Sequence, residues 1–322
     1  MPEYRVVYLG ASKQYGKMLV ESAPKGFSVK VLPRKASVDE MSREIKDADF
    51  CVLGGASGIP EEVYRAAKRL KFIQGMAAGY ENILLPLLRE MGIPAANMVG
   101  ANAVTVAEHA VTLMLMVLRR MVPTIALLRA GKWRPDLDET LYAELYQKTV
   151  GIVGLGNIGR WVGKIVSGFG ARVVFYDSYK VPQTVAELIP ARPVNLEDLL
   201  SISDIVSLHV GLNKDTQGMI GRKELRLMKP TGILINTSRG KVVDEAALIE
   251  ALQQHLIAGA GLDAFEKEPI DLSSPLLKIE QVVCTPHMGA SGWDNVTRRM
   301  DRIWENFEAV LQGKPPYGLI TG

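Results

Sequence analysis

The chain has 322 residues, and this length predicts two domains because single hydrophobic cores stop growing near about 250 residues. With 48% hydrophobic residues, 23% charged residues and a net charge of +3, the composition is typical of a globular protein and offers no basic surface for nucleic acid. The two cysteines, Cys51 and Cys284, define neither a zinc site nor a disulfide framework, so we expect no metal and a cytoplasmic location.

The first hundred residues alternate short apolar runs with amphipathic ones, a pattern typical of βαβ units and a parallel sheet. We expect no signal peptide, because the N-terminus leads directly into a strand. The predicted strands and the main helices of this lobe are strands 5–9, 28–32, 50–53, 72–75 and one near Met98, and helices 39–47 and 60–70 with Pro60 in its first turn. No glycine fingerprint follows the first strand, so a flavodoxin-like lobe without a nucleotide is predicted.

Residues 104–130 form a long apolar helical pattern that is interrupted at Pro123, where we expect a kink or a new helix. The most apolar part, 110–118, is too short to span a bilayer and predicts a buried helix. We therefore expect no membrane partner.

Residues 150–177 carry the most informative motif. An apolar run leads into Gly154, Gly156 and Gly159, a helical pattern follows, and a second apolar run ends on Asp177. This G-x-G-x-x-G arrangement in a strand–turn–helix–strand setting is typical of dinucleotide-binding sites. Glycine triplets also occur in ordinary turns, but the acid lies 18 residues after Gly159, where it can accept from both ribose hydroxyls.

Each part of this turn has a physical role. Gly154 makes the tight turn, Gly156 lets the backbone approach a pyrophosphate, and Gly159 permits close packing of helix on strand. The pyrophosphate would lie at the helix N-terminus, beside Asn157 and Ile158, where unpaired N–H groups and the helix dipole favour an anion.

The acid at the end of the second strand also bears on the choice of cofactor. A carboxylate at Asp177 would repel the 2′-phosphate of NADP, whereas Lys180 is close enough to soften that preference. We therefore expect NAD as the cofactor, with some use of NADP left open.

Beyond this motif the alternation of strands and helices resumes, with predicted strands at 205–209, 232–236, 259–262 and 282–285. Asp244 is expected to cap a helix at 245–253, and the last helix, 291–312, is expected to return to the first lobe. The predicted fold class is α/β, with two doubly wound parallel-sheet domains. These are a substrate domain formed by 1–101 and 291–322, and a Rossmann NAD-binding domain at 102–290.

A bound nicotinamide can exchange hydride with a carbonyl, which also needs a proton donor and a group that holds the substrate. Open α/β folds bind ligands at the carboxyl ends of strands. The first such end, 236–240, contains Arg239, which can bond a carboxylate through two parallel N–H groups, although a surface arginine in a turn is the alternative. Thr237 and Ser238, with His209 at the preceding strand end, are expected to line the cofactor.

Two further strand ends carry candidate groups. Asp263 is placed to accept from the nicotinamide carboxamide and Glu268 follows it, although charges in a loop often form only a solvated face. His287, after the last strand, is the preferred acid, and a carboxylate such as Glu268 on its far nitrogen would hold its tautomer. The remaining histidines are better explained as exposed or structural: His109, His209 and His255.

Four sequence blocks in this order resemble the D-isomer-specific 2-hydroxyacid dehydrogenases over essentially the whole chain. The blocks are Gly154 to Gly159 with Asp177, Asn236 to Gly240, Asp263 to Pro269, and Pro286 to Ser291. The resemblance implies that Arg239 orients the 2-oxo acid, that His287 is the proton donor and that Glu268 pairs with His287. It also implies NAD as cofactor, a D-2-hydroxy acid as product, a substrate cleft between the domains and a homodimer built largely from the long helix after Val104.

The resemblance also implies a substrate loop at 74–82, whose backbone N–H groups bind the substrate carboxylate. The candidate contacts are Met76, Ala77, Ala78 and Gly79.

Relatives that resemble phosphoglycerate dehydrogenases carry arginine or lysine where this chain has three glycines, Gly54, Gly58 and Gly75. A phosphate without cationic partners would be poorly held, so we expect an unphosphorylated 2-oxo acid. Gly54, Gly55 and Gly58 are expected to leave room for its side group, and no regulatory domain is expected after Gly322.

Two other functions are the main alternatives from the sequence. Phosphoglycerate dehydrogenase activity is one, and an NAD(H)-sensing binding protein resembling the corepressors of the family is the other. Glu268 argues against formate dehydrogenase activity, for which the resemblance implies glutamine at that position, while phosphite oxidation stays formally open.

Overall fold

The structure is a computed structural model that describes residues 3–54, 58–80, 82–133, 142–179, 181 and 189–321. The chain divides into two compact units, one formed by Met1–Asn102 with Ser291–Gly322 and the other by Ala103–Ala290. Each unit is built on one parallel sheet with helices between its strands. The predicted α/β class with two doubly wound sheets is therefore confirmed.

The elements over the described residues are numbered here in chain order. The strands are β1 Tyr4–Ala11, β2 Phe27–Pro33, β3 Phe50–Leu53, β4 Phe72–Gly75, β5 Ala95–Ala96, β6 Thr149–Val153, β7 Arg172–Tyr176, β8 Ala191–Pro193, β9 Ile205–Leu208, β10 Ile233–Asn236, β11 Gly259–Leu262 and β12 Val282–Cys284. The helices are α1 Lys13–Glu21, α2 Val38–Ile45, α3 Glu61–Ala66, α4 Leu85–Glu90, α5 Ala103–Leu118, α6 Met121–Arg129, α7 Asn157–Gly168, α8 Leu196–Ile202, α9 Arg222–Leu227, α10 Glu245–Gln253 and α11 Trp293–Leu311.

The first unit has the strand order β2-β1-β3-β4-β5, which is the flavodoxin-like order. Helix α11 belongs to this unit and buries an aromatic face against the sheet. The Phe307 ring stacks on that of Phe50 with centroids 4.3 Å apart, and Trp304 donates from Nε1 to the Ser22 hydroxyl at 3.0 Å. Asn306 donates to Oε1 of the buried Gln74 at 2.6 Å. These contacts fix the C-terminal helix to the N-terminal sheet.

Three local predictions for this unit need correction. The short strand expected near Met98 is β5, two residues earlier, because it pairs with β4 from Ile73 onward. Pro60 is the N-cap of α3 and lies before its first turn. That helix ends at Ala66, since Ala67 is extended and the N–H of the next residue bonds the carbonyl of Lys46.

The second unit has the strand order β12-β11-β10-β9-β6-β7-β8. Strands β6 and β9 are neighbours, and the chain departs from them toward opposite edges of the sheet. Alternate residues of the central strands fill two apolar layers, one on each face of the sheet. Asp244 caps α10 as predicted, with its Oδ1 accepting the N–H of Ala247 at 2.9 Å.

The long apolar pattern forms two helices, α5 and α6. The break lies before Pro123, at Arg120, whose φ of 45° is left-handed. Pro123 lies in the first turn of α6, where a missing N–H removes no helical hydrogen bond. Among the described residues no single helix is long and apolar enough to cross a membrane, although α5 and α6 together, bent by 63°, reach that length and composition.

Candidate active site

The turn between β6 and α7 contains the three fingerprint glycines. Gly154 has a φ of 93°, and a Cβ there would lie 2.9 Å from the carbonyl oxygen of His209. A Cβ on Gly159 would lie 2.1 Å from the carbonyl oxygen of Gly154, so α7 starts this close to β6 because glycine is present. Gly156 is the N-cap of α7, and nothing in the described part of the chain lies within 4 Å of its ideal Cβ position. The turn is therefore tightly packed at Gly154 and Gly159 and open at Gly156.

Asp177 follows β7 directly and is held beside this turn. Its Oδ2 accepts the N–H of Leu155 at 2.8 Å, and its Oδ1 accepts that of Tyr179 at 3.0 Å. A carboxylate oxygen can accept two hydrogen bonds, so each oxygen keeps a lone pair that a ribose hydroxyl can use. Lys180, which was expected to soften the preference for NAD, lies outside the described residues.

The point where β6 and β9 adjoin is a topological switch point. A crevice opens at such a point because the connections leave the two strands in opposite directions, and open α/β folds bind their ligands there. Gly154 follows β6, and His209 follows β9 with its carbonyl oxygen bordering Gly154. The fingerprint turn thus lies where this fold places a ligand.

Two of the expected cofactor residues hold buried polar atoms without partners among the described residues, Nδ1 of His209 and Oγ1 of Thr237. The other ring nitrogen of His209 is 2.8 Å from the Ser207 hydroxyl, and burial lowers the pKa of His209 to about 3, so the ring is neutral. The N–H groups of Asn157 and Ile158, in the first turn of α7, have no acceptor within the helix. Buried polar groups are nearly always paired, so these residues fit a dinucleotide that supplies the partners.

Arg239 is presented by a loop that is ordered from within. Oδ1 of the buried Asn236 accepts the N–H of Ser238 at 3.0 Å and its hydroxyl at 2.8 Å, and Nδ2 of Asn236 donates to the Arg239 carbonyl at 3.0 Å. Arg239 itself is half-buried, and its Nη1 donates to the Ser238 carbonyl at 2.9 Å. Asn236 therefore sets the conformation from which the guanidinium projects.

His287 and Glu268 form a hydrogen-bonded pair at the ends of neighbouring strands. Nδ1 of His287 lies 2.7 Å from Oε2 of Glu268, and the Phe265 N–H donates to Oε1 of Glu268 at 3.1 Å. A Cβ on Gly240 would lie 1.8 Å from the backbone carbon of Phe265, so the loop of Arg239 presses against the segment that carries Glu268. The structure thus brings the loops of the three expected catalytic residues together, and no described residue bonds Nε2 of His287, which can therefore face a ligand.

Asp263, at the end of β11, binds the His287 loop, which we define as residues 285–289. Its Oδ1 accepts from the Thr285 hydroxyl at 2.6 Å and from the Met288 N–H at 2.9 Å, and its Oδ2 accepts the Gly289 N–H at 2.8 Å. Burial acts to raise the pKa of Asp263, but these bonds and the neighbouring His109 outweigh it and hold that pKa below its ordinary value. One acceptor position remains on Oδ2, so the expected contact with a carboxamide stays a prediction.

The expected substrate loop follows β4 in the first unit. The N–H of Met76 donates to the Leu53 carbonyl at 2.9 Å and extends the sheet. The N–H groups of Ala77, Ala78 and Gly79 donate to no acceptor in the part of the chain that the structure describes. The candidate donors to a carboxylate therefore narrow to these three residues, and their role stays a prediction.

The expectation that Gly54 leaves room for a substrate group is wrong. A Cβ there would lie 2.7 Å from the Tyr8 ring and 2.8 Å from the carbonyl oxygen of Gly10, so packing within the first unit requires the glycine. Among the described residues, the nearest atom to the ideal Cβ of Gly58 is 3.8 Å away, so this position is not closed by them. Gly55 lies outside the described residues.

Sequence reasoning assigned no site role to Asn236, Thr285 or His109. A buried asparagine at a strand end, directly before a Thr-Ser-Arg loop, is a recognisable signal for a side chain that organises a turn. His109 had no such signal, because its partners lie far away in the sequence. No group of three histidine, cysteine, aspartate or glutamate residues that could hold a metal occurs within the described ranges.

The chain is similar to known proteins in sequence and in fold. Residues 111–289 match the family model of the D-isomer-specific 2-hydroxyacid dehydrogenase NAD-binding domain. A glyoxylate reductase of Korarchaeum cryptofilum is 41% identical over 279 residues, which cover 86% of this chain and 84% of that protein. A protein of Thermus thermophilus has a TM-score of 0.85 at 33% identity, covering 98% of this chain and 99% of its own. An NAD-complexed D-isomer-specific 2-hydroxyacid dehydrogenase of Lactobacillus delbrueckii ssp. bulgaricus has a TM-score of 0.84 at 26% identity, with coverage of 98% and 99%.

Proposed function

Since this chain belongs to the family of D-isomer-specific 2-hydroxyacid dehydrogenases, we propose that it reduces an unphosphorylated 2-oxo acid to the D-2-hydroxy acid. Family membership makes it an NAD-dependent oxidoreductase of 2-oxo acids. We propose the particular class of acid and the roles of single residues that follow. The observation that carries them is the His287–Glu268 pair, beside the Arg239 loop and in the same unit as the dinucleotide turn.

The residues that would hold NAD are those at the switch point. Gly156 and the first turn of α7 would face the pyrophosphate, Asp177 the ribose hydroxyls, and the unpartnered atoms of His209 and Thr237 would bond the cofactor nearby. Bound NADH would supply the hydride that reduces the carbonyl.

His287 would donate the proton that the carbonyl oxygen needs. Because Nδ1 bonds Glu268, Nε2 is the nitrogen that can face the substrate. Glu268 holds the orientation and the tautomer of the ring, and its own position is fixed by the Phe265 N–H. Partial exposure of both side chains keeps the histidine in exchange with solvent protons.

Arg239 would bind the carboxylate of the substrate. Its loop is fixed by Asn236, so little conformational freedom is lost when the guanidinium bonds two carboxylate oxygens. For the rest of the substrate, a glycine at position 58 supplies no cationic side chain for a phosphate, which favours an uncharged group.

We propose a homodimer through α6. None of its residues is buried, and Met121, Val122, Ile125 and Leu128 are 40–58% exposed. Monomers seldom expose so large an apolar surface, and a second copy of this chain would cover it. Ile125→Glu should lower the mass in light scattering to that of a monomer, while Leu272→Glu, at an exposed apolar residue elsewhere, should not. We also place the protein in the cytoplasm, where its two free cysteines stay reduced.

NADH oxidation against a panel of 2-oxo acids tests the proposed reaction. We expect turnover with glyoxylate, hydroxypyruvate or a larger 2-oxo acid, and a higher kcat/KM with NADH than with NADPH. A higher kcat/KM with phosphohydroxypyruvate would contradict the proposed substrate class. Binding of NADH without turnover of any 2-oxo acid would instead favour an NAD(H)-sensing protein.

A further inference from the structure

His109 lies on α5, remote in sequence from the His287 loop, and yet it contacts that loop. Its Nε2 is 2.9 Å from the Thr285 hydroxyl and 3.3 Å from Oδ1 of Asp263. The side chain is only 16% exposed, and that of Asp263 is 3% exposed. Helix α5 therefore contributes an imidazole to the buried side of the site.

A count of protons fixes the direction of these bonds. Thr285 has a single hydroxyl proton, which it donates to Oδ1 of Asp263 at 2.6 Å. The Thr285 oxygen must then accept at the 2.9 Å contact, so His109 carries its proton on Nε2. The order of donation is from His109 to Thr285 and from Thr285 to Asp263.

Asp263 binds the His287 loop on both sides of the histidine. Thr285 precedes His287, while the N–H groups of Met288 and Gly289 follow it, and all three donate to this one carboxylate. His287 itself has a left-handed φ of 50°, so the backbone turns sharply at this residue. The segments before and after the turn are both hydrogen-bonded to Asp263. A displacement of Asp263 or Thr285 would move the imidazole directly.

The space around the carboxylate leaves little room for an alternative arrangement. A Cβ on Gly289 would lie 2.9 Å from Oδ2 of Asp263 and 3.3 Å from Cδ2 of His109, so both side chains pack against the His287 loop. The His109 imidazole, with Nε2 3.3 Å from Oδ1 of Asp263, also helps to keep the buried carboxylate ionised, and ionisation is what lets it accept from several donors at once.

We propose that His109 is a positioning residue for His287, acting through Thr285 and Asp263 on the placement of the His287 loop. This inference rests on the proposed role of His287 as proton donor. It gives α5 a part in turnover that is separate from its packing in the second unit.

Substitutions at His109 test the inference by separating turnover from binding and stability. His109→Leu removes the Nε2 donor, His109→Gln returns an amide donor at about the same reach, and His109→Asn carries an amide too short to reach Thr285. A displaced catalytic group lowers rate more than binding, so His109→Leu and His109→Asn should reduce kcat about 10- to 100-fold. NADH Kd should stay within about twofold and Tm within a few degrees, and His109→Gln should recover most of kcat. Glu108→Gln, at the exposed preceding residue, is the matched control.

Three outcomes would overturn the inference. The first is a kcat of His109→Asn equal to that of the natural chain. The second is an equal loss in the Gln and Asn variants, which would mean that hydrogen bonding at Nε2 is irrelevant. The third is a parallel loss of NADH affinity and Tm, which would mean a role in folding alone. If instead His287→Asn is fully active, the proposed function fails first, and the His109 inference fails with it.

Discussion

Gly156 offers the sharpest separation of cofactor binding from folding. Its φ of −74° and ψ of −159° are open to any residue, and no atom of the described residues lies within 4 Å of its ideal Cβ. In Gly156→Ala, the reduced entropy of the unfolded chain stabilises by about 0.4–1 kcal/mol. Alanine is a poorer N-cap than glycine by a similar amount, about 0.5 kcal/mol or more. The two effects oppose each other, so the free energy of unfolding should change by less than about 1 kcal/mol.

The effect of Gly156→Ala on NADH should be much larger. The new methyl group occupies the space by which the backbone would approach the pyrophosphate, and the loss of one hydrogen bond to a charged group costs about 1.5–3 kcal/mol. That energy corresponds to a Kd that is about 10- to 100-fold weaker. Fluorescence titration with NADH measures the Kd, and urea unfolding of the same samples measures stability.

Two other glycines are controls for this measurement. Gly168→Ala places a methyl group in open space at the far end of α7, so NADH Kd should not change. Gly159→Ala drives a Cβ to 2.1 Å from the Gly154 carbonyl, so this variant should lose stability as well as affinity. A Kd of Gly156→Ala equal to that of Gly168→Ala would refute the placement of the pyrophosphate.

Two further predictions concern the arginine and the buried histidine of the second unit. Arg239→Lys should raise KM for the 2-oxo acid about 10-fold or more, because a point charge cannot replace a planar fork; an unchanged KM in steady-state kinetics would count against its role. The pKa of His209 is about 3 in the folded protein and 6.5 in the unfolded chain, because burial disfavours the charged ring. Above pH 6.5 the ring is neutral in both states, and as the pH falls from 6.5 toward 3 the unfolded chain takes up a proton and the folded protein loses stability. At pH 5 that loss is about 2 kcal/mol, and urea unfolding at pH 7 and 5 should show His209→Asn losing less than the natural chain; equal losses would contradict the prediction.

The fold was largely predictable because its signals are local. Apolar runs located eleven of the twelve described strands to within a residue or two, since a buried parallel strand needs consecutive apolar residues. Strand β8 was not predicted, because its sequence, Ala-Arg-Pro, is not an apolar run. The helix break was misplaced at Pro123 because proline fits a first helical turn, while the left-handed Arg120 that makes the break has no compositional signal. Gly54 was misinterpreted for a related reason. From the sequence alone, a glycine that packs against Tyr8 looks the same as one that leaves room for a ligand.

In the candidate site, too, features with a local sequence signal were predictable and features that depend on distant contacts were not. Arg239, Glu268 and His287 each follow a strand, so the carboxyl edge of a parallel sheet was enough to predict their neighbourhood. The anchoring of the His287 loop was not predictable, because it depends on a contact between α5 and the end of β11 that no spacing in the sequence encodes.

The most direct test of the central claim, that His287 is the proton donor, compares two histidines with the same backbone conformation. His287 and His255 have φ values of 50° and 55°, a region that asparagine tolerates, and His255 is exposed on the surface. His287→Asn should lower kcat for 2-oxo acid reduction by about 10²- to 10⁴-fold with NADH Kd unchanged, while His255→Asn should leave both unchanged. Equal turnover by the two variants would contradict the assignment of His287 as the acid.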